Sequence, residues 1–165
     1  MRSPYLKKFC EIVMTDDKPK VKKRAGKVVH SAVSLHAREK AEDIRNRYAP
    51  VIDYQTVLQM LEDRKSVRYP VTLRFVSEGI DPGMFARTEP VSENPDDGYT
   101  ILIHNHFENR HDDLPKLILY QLVLVNYGDL ATANDAEIFG ATILGLDRDT
   151  YYQQVADLVD DAWPA

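Results

Sequence analysis

The fold is decided by Tyr99-Thr-Ile-Leu-Ile-His-Asn-His-Phe107 and by two apolar segments that follow it, Leu117-Ile-Leu-Tyr-Gln-Leu-Val-Leu-Val125 and Asp135-Ala-Glu-Ile-Phe-Gly-Ala-Thr-Ile-Leu144. The first segment alternates with the period of a strand. Residues 101, 103 and 107 then share one face, and residues 102, 104 and 106 share the other. We therefore predict a strand over this segment.

The two apolar segments predict helices. Asp113 and Pro115 are helix start signals before the first of them, and Gly128 follows its end. This run is apolar on all sides, so its helix should lie at the centre of the fold. The second helix should begin after Thr132 or Asn134. Its inward positions follow the helical period, and they are Ala136, Phe139, Gly140, Ile143 and Leu144, with Gly145 as the stop.

The rest of the chain predicts further helices and strands around this centre. We expect a basic helical region over residues 1–68 and an α+β core over residues 69–165, together one compact unit. The predicted elements are a short helix from Pro4 to Val13, a long helix reaching towards Tyr48, a helix capped by Asp53, a strand from Tyr69 to Val76, at most one short strand near Phe85 to Val91, and a terminal helix starting at Asp149 with Tyr152, Val155, Leu158 and Val159 inward.

Composition indicates an ordinary globular domain. Hydrophobic residues make up 44% of the 165 residues and charged residues 28%. A single cysteine, Cys10, excludes an intramolecular disulfide, and no apolar run reaches transmembrane length. The amino terminus lacks a signal-peptide core. We therefore expect a cytoplasmic protein without a membrane partner.

Charge is distributed unevenly along the chain. Residues 1–77 hold 17 basic and 9 acidic side chains, whereas residues 78–165 hold 4 basic and 17 acidic ones. The densest basic run, which we call the basic arm, consists of Lys18, Lys20, Lys22, Lys23, Arg24 and Lys27. It could bind nucleic acid or an acidic partner. We favour the alternative that the basic half docks on the acidic half, within one chain or across a homodimer.

The order strand, polar break, buried helix, turn and helix resembles the bacterial zinc metallopeptidases of the ImmA/IrrE type. In that family, a strand precedes a helix bearing His-Glu-x-x-His, and a second helix begins like Glu-Ala-Asn-Arg-Phe-Ala-Ala-Glu-Leu-Leu. The segment from Asp135 to Leu144 is similar to this second motif, with matches at Ala136, Phe139, Ala141 and Leu144. The resemblance covers residues 70–146 and implies an α+β, zincin-like core of a strand and two packed helices.

The zinc ligands of that family are missing here. Its His-Glu-x-x-His corresponds to Tyr120-Gln-Leu-Val-Leu124, and its third ligand corresponds to Asp135; we call Tyr120, Gln121, Leu124 and Asp135 the motif positions. Neither Tyr120 nor Leu124 replaces an imidazole ligand, and neutral Gln121 cannot take up a proton. Asp135 also fits Thr132-x-x-Asp as a variant capping box. We expect no zinc and no peptidase chemistry at these positions.

A second group of residues leaves metal chemistry open. His104 and His106 would point to the same side of a strand, and His111 follows in the adjacent loop. Histidines in this arrangement can chelate zinc together. The alternative is that they are exposed polar residues at a strand end. If the chain is an enzyme, we expect a metal-dependent hydrolase that uses this site.

The leading interpretation is a metallopeptidase-like binding or regulatory module without catalysis or cofactor. The resemblance implies that a peptide or protein partner would add a strand to the edge of the sheet beside the central helix. The two alternatives are the hydrolase with the rearranged histidine site, and a nucleic-acid-associated protein that uses the basic arm. The second is less favoured because the arm lacks interleaved aromatic residues.

Overall fold

The computed structural model describes residues 23–164, with side chains from residue 32 onward. The five helices of this region are α1 (Lys23–Tyr48), α2 (Tyr54–Glu62), α3 (Leu114–Tyr127), α4 (Ala133–Leu144) and α5 (Arg148–Ala162). The strands are β1 (Val71–Val76), β2 (Ala86–Pro90) and β3 (Tyr99–His104). The protein is thus a helix-rich α+β domain, as predicted. The predicted helix from Pro4 to Val13 lies outside the described residues.

The strands form one small mixed sheet in the order β1-β3-β2. β1 runs parallel to β3, and β2 runs antiparallel to it. The inner face of β3 carries Ile101 and Ile103, which are fully buried beneath the helices. Because β3 lies between the other two strands, β1 and β2 are the two edges of the sheet in the described part of the chain.

Helix α3 lies at the centre of the domain, as its apolar run predicts. Eleven of its fourteen residues are buried, including Leu122 and Val125. The helix packs on β2, on α2 and on the two helices that follow it. Asp113 precedes the helix without capping it, because its carboxylate binds Arg110 instead. Gly128 ends the helix with a positive φ of 57°.

Helix α4 has the start and end predicted from the sequence. The Thr132 hydroxyl accepts from the backbone N–H of Asp135, and the Asp135 carboxylate accepts from that of Thr132. These reciprocal bonds form the capping box. Gly145 ends the helix in the left-handed conformation, which glycine adopts without the strain a Cβ would bring.

The long helix α1, which belongs to the basic half of the chain, contacts both α3 and α4. Ala41 and Ile44 are fully buried in the shared core. The Arg45 guanidinium donates to the backbone carbonyl of Ile143 at 2.8 Å, which satisfies an end of α4. His36 Nδ1 lies 2.6 Å from the Tyr127 hydroxyl of α3. The described contacts are thus mainly apolar packing and single hydrogen bonds.

Two local predictions were wrong. The alternating pattern around His106 does not continue the strand, because β3 ends at His104 and residues 105–107 form a 3-10 turn. Helix α5 begins at the N-cap Asp147, whose carboxylate accepts from the Thr150 N–H, and not at Asp149. The fully buried aromatic residue of α5 is Tyr151 rather than Tyr152, because Tyr151 shares the buried face with Val155 and Leu158.

Asp63 connects the ends of α1 and α2. Its carboxylate accepts from the hydroxyls of Ser66 and Tyr48 and lies 2.5 Å from the Arg47 guanidinium. Burial opposes its ionisation, but these bonds, the backbone N–H of Lys65 and the Arg47 charge together hold its pKa well below the usual range.

Replacing Asp63 with Asn should therefore destabilise the domain by about 1–3 kcal/mol at neutral pH. A depressed pKa contributes stability above the unfolded value near 4, and that contribution is lost as pH falls towards the folded value. The difference between wild type and Asp63→Asn should thus be constant above about pH 5 and should shrink below it. Chemical denaturation at several pH values measures it. Asp43→Asn is the control, because that carboxylate is exposed. A difference that grows on acidification would contradict this role.

Candidate functional site

An apolar cleft separates the edge strand β2 from helices α3 and α4. Its cavity volume is about 120 Å³. The residues that line it come from three elements and the segment before β2, and they are Met84, Ala86, Arg87, Thr88, Tyr120, Gln121, Val123, Leu124, Thr132 and Ala136. We call this space the β2–α3 cleft. It is the cavity around which the motif positions are arranged.

Three of the four motif positions line the cleft. Tyr120, Gln121 and Leu124 lie on one face of α3, because residues three and four apart in a helix are neighbours on its surface. Tyr120 packs its ring edge-to-face against Phe85, with the ring centroids 5.6 Å apart. The structure therefore places on one wall of the cleft the three α3 positions that the resemblance aligns with the two histidines and the glutamate of the zinc motif.

Asp135, the fourth motif position, is directed elsewhere. Its side chain is only 2% exposed, and both carboxylate oxygens accept hydrogen bonds within the protein. One oxygen accepts from the Thr132 N–H at 2.9 Å, and the other accepts from the Ser34 hydroxyl of α1 at 2.6 Å. The carboxylate thus caps the start of α4 and binds α1 through the Ser34 hydroxyl.

Gln121 is a buried polar residue in a largely apolar cleft. Its side chain is 3% exposed, and its Oε1 accepts a hydrogen bond of 2.8 Å from the Thr88 hydroxyl. This bond joins the centre of α3 to the edge strand. A neutral amide suits the position because a buried carboxylate would need a charged partner.

The outer edge of β2 has backbone groups directed away from β3. His104 N–H donates to the Phe85 carbonyl, and Val91 N–H donates to the Gly98 carbonyl, so the odd-numbered residues of β2 pair with β3. In an antiparallel ladder the direction alternates. The N–H and C=O groups of Ala86 and Thr88 therefore point outward, beside the cleft that their side chains line.

Both ends of this outer edge are closed. The Trp163 indole N–H donates to the Met84 carbonyl at 2.7 Å. At the other end, Pro90 has no N–H to offer, which is why proline is tolerated on edge strands. Ala86 is only 1% exposed, so Thr88 is the residue between these ends whose outward N–H and C=O lie at a partly exposed edge.

Two of the three histidines of the alternative metal site stay together: the His106 N–H donates to His104 Nδ1 at 3.1 Å, and their ring centroids lie 6.3 Å apart. His104 packs against the Trp163 ring at 5.0 Å, and burial, together with neighbouring His106, lowers its pKa. His106 Nε2 lies 3.0 Å from an Asp161 oxygen, and Arg110 binds the same carboxylate.

His111 stacks on Tyr54, with the ring centroids 4.9 Å apart. Across residues 23–164, no group of three or more His, Cys, Asp or Glu side chains is placed to hold a metal ion. The structure therefore does not bring the three predicted ligands together.

Half of the six basic-arm residues lie outside the described residues. Lys18, Lys20 and Lys22 fall outside the described residues, and Lys23, Arg24 and Lys27 are in the first turns of α1. The arm's role in nucleic-acid binding or self-docking stays a prediction. No helix in the described part of the chain is long and apolar enough to cross a membrane.

Sequence reasoning missed the residues on the strand side of the cleft. Thr88, Ala86 and Trp163 showed no motif, and their roles depend on how β2 folds back against α3. The sequence did contain one signal for the strand side of the cleft. A proline within a short strand, here Pro90, indicates a strand at the edge of a sheet.

Searches of family models, of curated proteins and of solved structures each find no match to this chain.

Proposed function

We propose that the protein is a metallopeptidase-like binding module that holds a peptide as an added strand on β2, without peptidase catalysis. The observation that carries the proposal is the shared position of Tyr120, Gln121 and Leu124 in a cleft beside an edge strand. In strand addition, backbone pairing supplies affinity and side-chain pockets supply specificity. The β2–α3 cleft offers both features.

The proposed kinship with zincin-type peptidases draws support from the same arrangement. An antiparallel edge strand lies against the central helix, and the helix face with the motif positions is turned towards it. A groove of this kind keeps its ability to bind an extended chain after the zinc ligands are lost. The apolar lining and the outward backbone groups of Thr88 are what remains for a ligand to contact.

The test is a titration of the ¹⁵N-labelled full chain with the peptide Ac-Thr-Thr-Leu-Thr-Thr-NH2. We expect the amide resonance of Thr88 to shift, because its N–H group points to the ligand. Thr88→Pro should weaken binding at least fivefold, since it removes an outward donor without removing a bond to β3. Thr88→Val is the matched control, because it keeps the N–H and should bind.

Equal binding by wild type and Thr88→Pro, or shifts confined to another surface, would contradict strand addition. Thermal melting of the two Thr88 variants establishes whether both remain folded.

We also expect the purified chain to contain no stoichiometric Zn²⁺ and to leave an unfolded protein substrate intact. The motif positions supply no imidazole, and the Asp135 carboxylate is engaged by Thr132 and Ser34. Elemental analysis and a protease assay measure both. Zinc that is lost in Asp135→Ala would contradict this proposal. Zinc that is lost in His104→Ala or His106→Ala would instead support the hydrolase alternative.

A further inference from the structure

We infer that helix α1 forms a homodimer interface, on which α1 of a second copy of this chain packs in the antiparallel direction. The buried side of α1 is formed by Ala37, Ala41 and Ile44. The opposite side comprises residues 28, 32, 35, 39 and 42, and we call it the outer face of α1. The inference goes beyond the proposed function, because it assigns a partner to a part of the molecule other than the β2–α3 cleft.

Apolar residues occupy the first half of the outer face. Val28, Ala32 and Leu35 are separated by four and three residues, so these positions of the helix lie above one another. Ala32 is exposed, and Leu35 is 59% exposed, although a leucine side chain gains free energy when it leaves water. From Leu35 to the buried Ala37 the helix turns by about 200°, so the core of the same domain lies on the wrong side to cover this leucine. A partner from outside the domain would bury it.

The charge of α1 reverses along its length. Arg24 and Lys27 lie in its first turns, whereas Glu39 and Glu42 are exposed on the outer face of its second half. Parallel pairing of two copies would set like charges side by side. Antiparallel pairing instead brings the basic start of each helix beside the acidic half of the other, and twofold symmetry repeats this contact. Charge complementarity therefore favours a second copy of α1 in the antiparallel direction.

The start of α1 also needs negative charge nearby. The first turn of a helix is the positive end of its dipole, which acidic residues usually offset. In α1 this turn contains Lys23 and Arg24 and no acidic residue. The exposed carboxylates of an antiparallel copy would supply the missing negative charge, so dimerisation should stabilise the beginning of each helix.

One register fits the apolar and the charged positions together. When the two helices are centred two residues before Leu35, Arg24 lies opposite Glu42 of the other copy, because both are nine residues from the centre. Lys27 lies opposite Glu39 for the same reason. Leu35 then lies at the level of the apolar half of the other outer face, across the usual separation of about 8–10 Å between packed helix axes. The two domains lie on opposite sides of the helix pair, so they do not collide.

The first experiment measures self-association of the full chain by sedimentation velocity over a concentration series. Wild type should form a dimer, and Leu35→Asp should weaken dimerisation roughly tenfold or more, because it brings a charge into the apolar middle of the interface. Val51→Asp is the matched control, since Val51 is 66% exposed between α1 and α2 and should leave the dimer unchanged. Both positions are exposed, so melting curves should show both variants folded. Wild type that is monomeric at every concentration, or equal dimerisation of wild type and Leu35→Asp, would overturn the interface.

The second experiment tests the direction of the pair by charge reversal. The first variant carries Arg24→Glu and Lys27→Glu. The second variant carries Glu39→Lys and Glu42→Lys. Each variant alone should dimerise severalfold more weakly than wild type, because like charges then lie opposite one another. An equal mixture of the two should recover dimerisation, and so should one chain with all four changes, since both restore opposite charges. Dimerisation that is not recovered in either case would overturn the antiparallel register.

Salt dependence separates this interface from docking within one chain. Raising NaCl from about 0.1 M to about 1 M shortens the Debye length from about 10 Å to about 3 Å, so the wild-type dimer should weaken severalfold. A dimer insensitive to salt would contradict the role of the charged ends. If the start of α1 instead bound an acidic surface of its own chain, Arg24→Glu with Lys27→Glu would lower the melting temperature of the monomer at every protein concentration. That result would reject the dimer interface.

Discussion

Leu122→Asp, or equally Val125→Asp, should prevent the domain from folding. Both side chains are 1% exposed at the centre of α3. An unpaired carboxylate there costs several kcal/mol, and the lost apolar packing adds to that cost. A domain of this kind has only about 5–15 kcal/mol of stability in total. Circular dichroism and a thermal melt should show no cooperative transition.

The control for this prediction is Leu130→Asp. Leu130 lies just beyond α3 and is 46% exposed, so the same change of side chain leaves its charge in water. It should melt within a few degrees of wild type, because exposed substitutions usually change stability little. Cooperative melting of Leu122→Asp near the wild-type temperature would mean that α3 is not the centre of the fold.

Gly140→Ala should destabilise the domain by about 2 kcal/mol, although alanine is the better helix former. A Cβ at position 140 would lie 2.3 Å from both Cζ and the hydroxyl oxygen of Tyr151. Tyr151 cannot move away, because it is fully buried and its hydroxyl donates to the Lys116 carbonyl at 2.6 Å. The gain in helix propensity is about 1 kcal/mol, which is less than the cost of overpacking. Urea denaturation measures the net change.

A second substitution tests the cause of that loss. Tyr151→Leu removes the ring atoms that a Cβ at position 140 would meet, and it destabilises the domain by itself. If the clash is responsible, the double variant with Gly140→Ala should lose less stability than the sum of the two single variants. Additive losses would place the origin of the Gly140→Ala effect elsewhere.

The helices were largely predictable because their signals are local. Thr132 with Asp135, Gly145 and Gly128 each act within a few residues of the chain, so the bounds of α3 and α4 followed from the sequence. The strand β3 was also predictable in its buried residues. Its extension to His106 was wrong, because alternation alone does not reveal where a 3-10 turn replaces extended backbone.

The candidate site was only half predictable. The resemblance to the zinc peptidases drew attention to the α3 face of the cleft, although the motif itself is missing there. The opposite wall depends on contacts between residues far apart in sequence. Thr88 binds Gln121 across 33 positions, and Trp163 binds Met84 across 79. No local pattern encodes such pairs. His111 illustrates the converse, since it stacks on Tyr54 while His104 and His106, which are close to it in sequence, stay beside each other.

The position of Asp135 bears on how easily a metal centre could be engineered into this domain. Histidines at positions 120 and 124 would share one face of α3, and a protein engineer could install them with two codon changes. A third ligand is harder to recruit. Asp135 would have to release the start of α4 and the Ser34 hydroxyl of α1 before it could turn to an ion. A new ligand from β2 would be the better choice, because turning Asp135 towards a metal would break the hydrogen bonds that connect α1 to the start of α4.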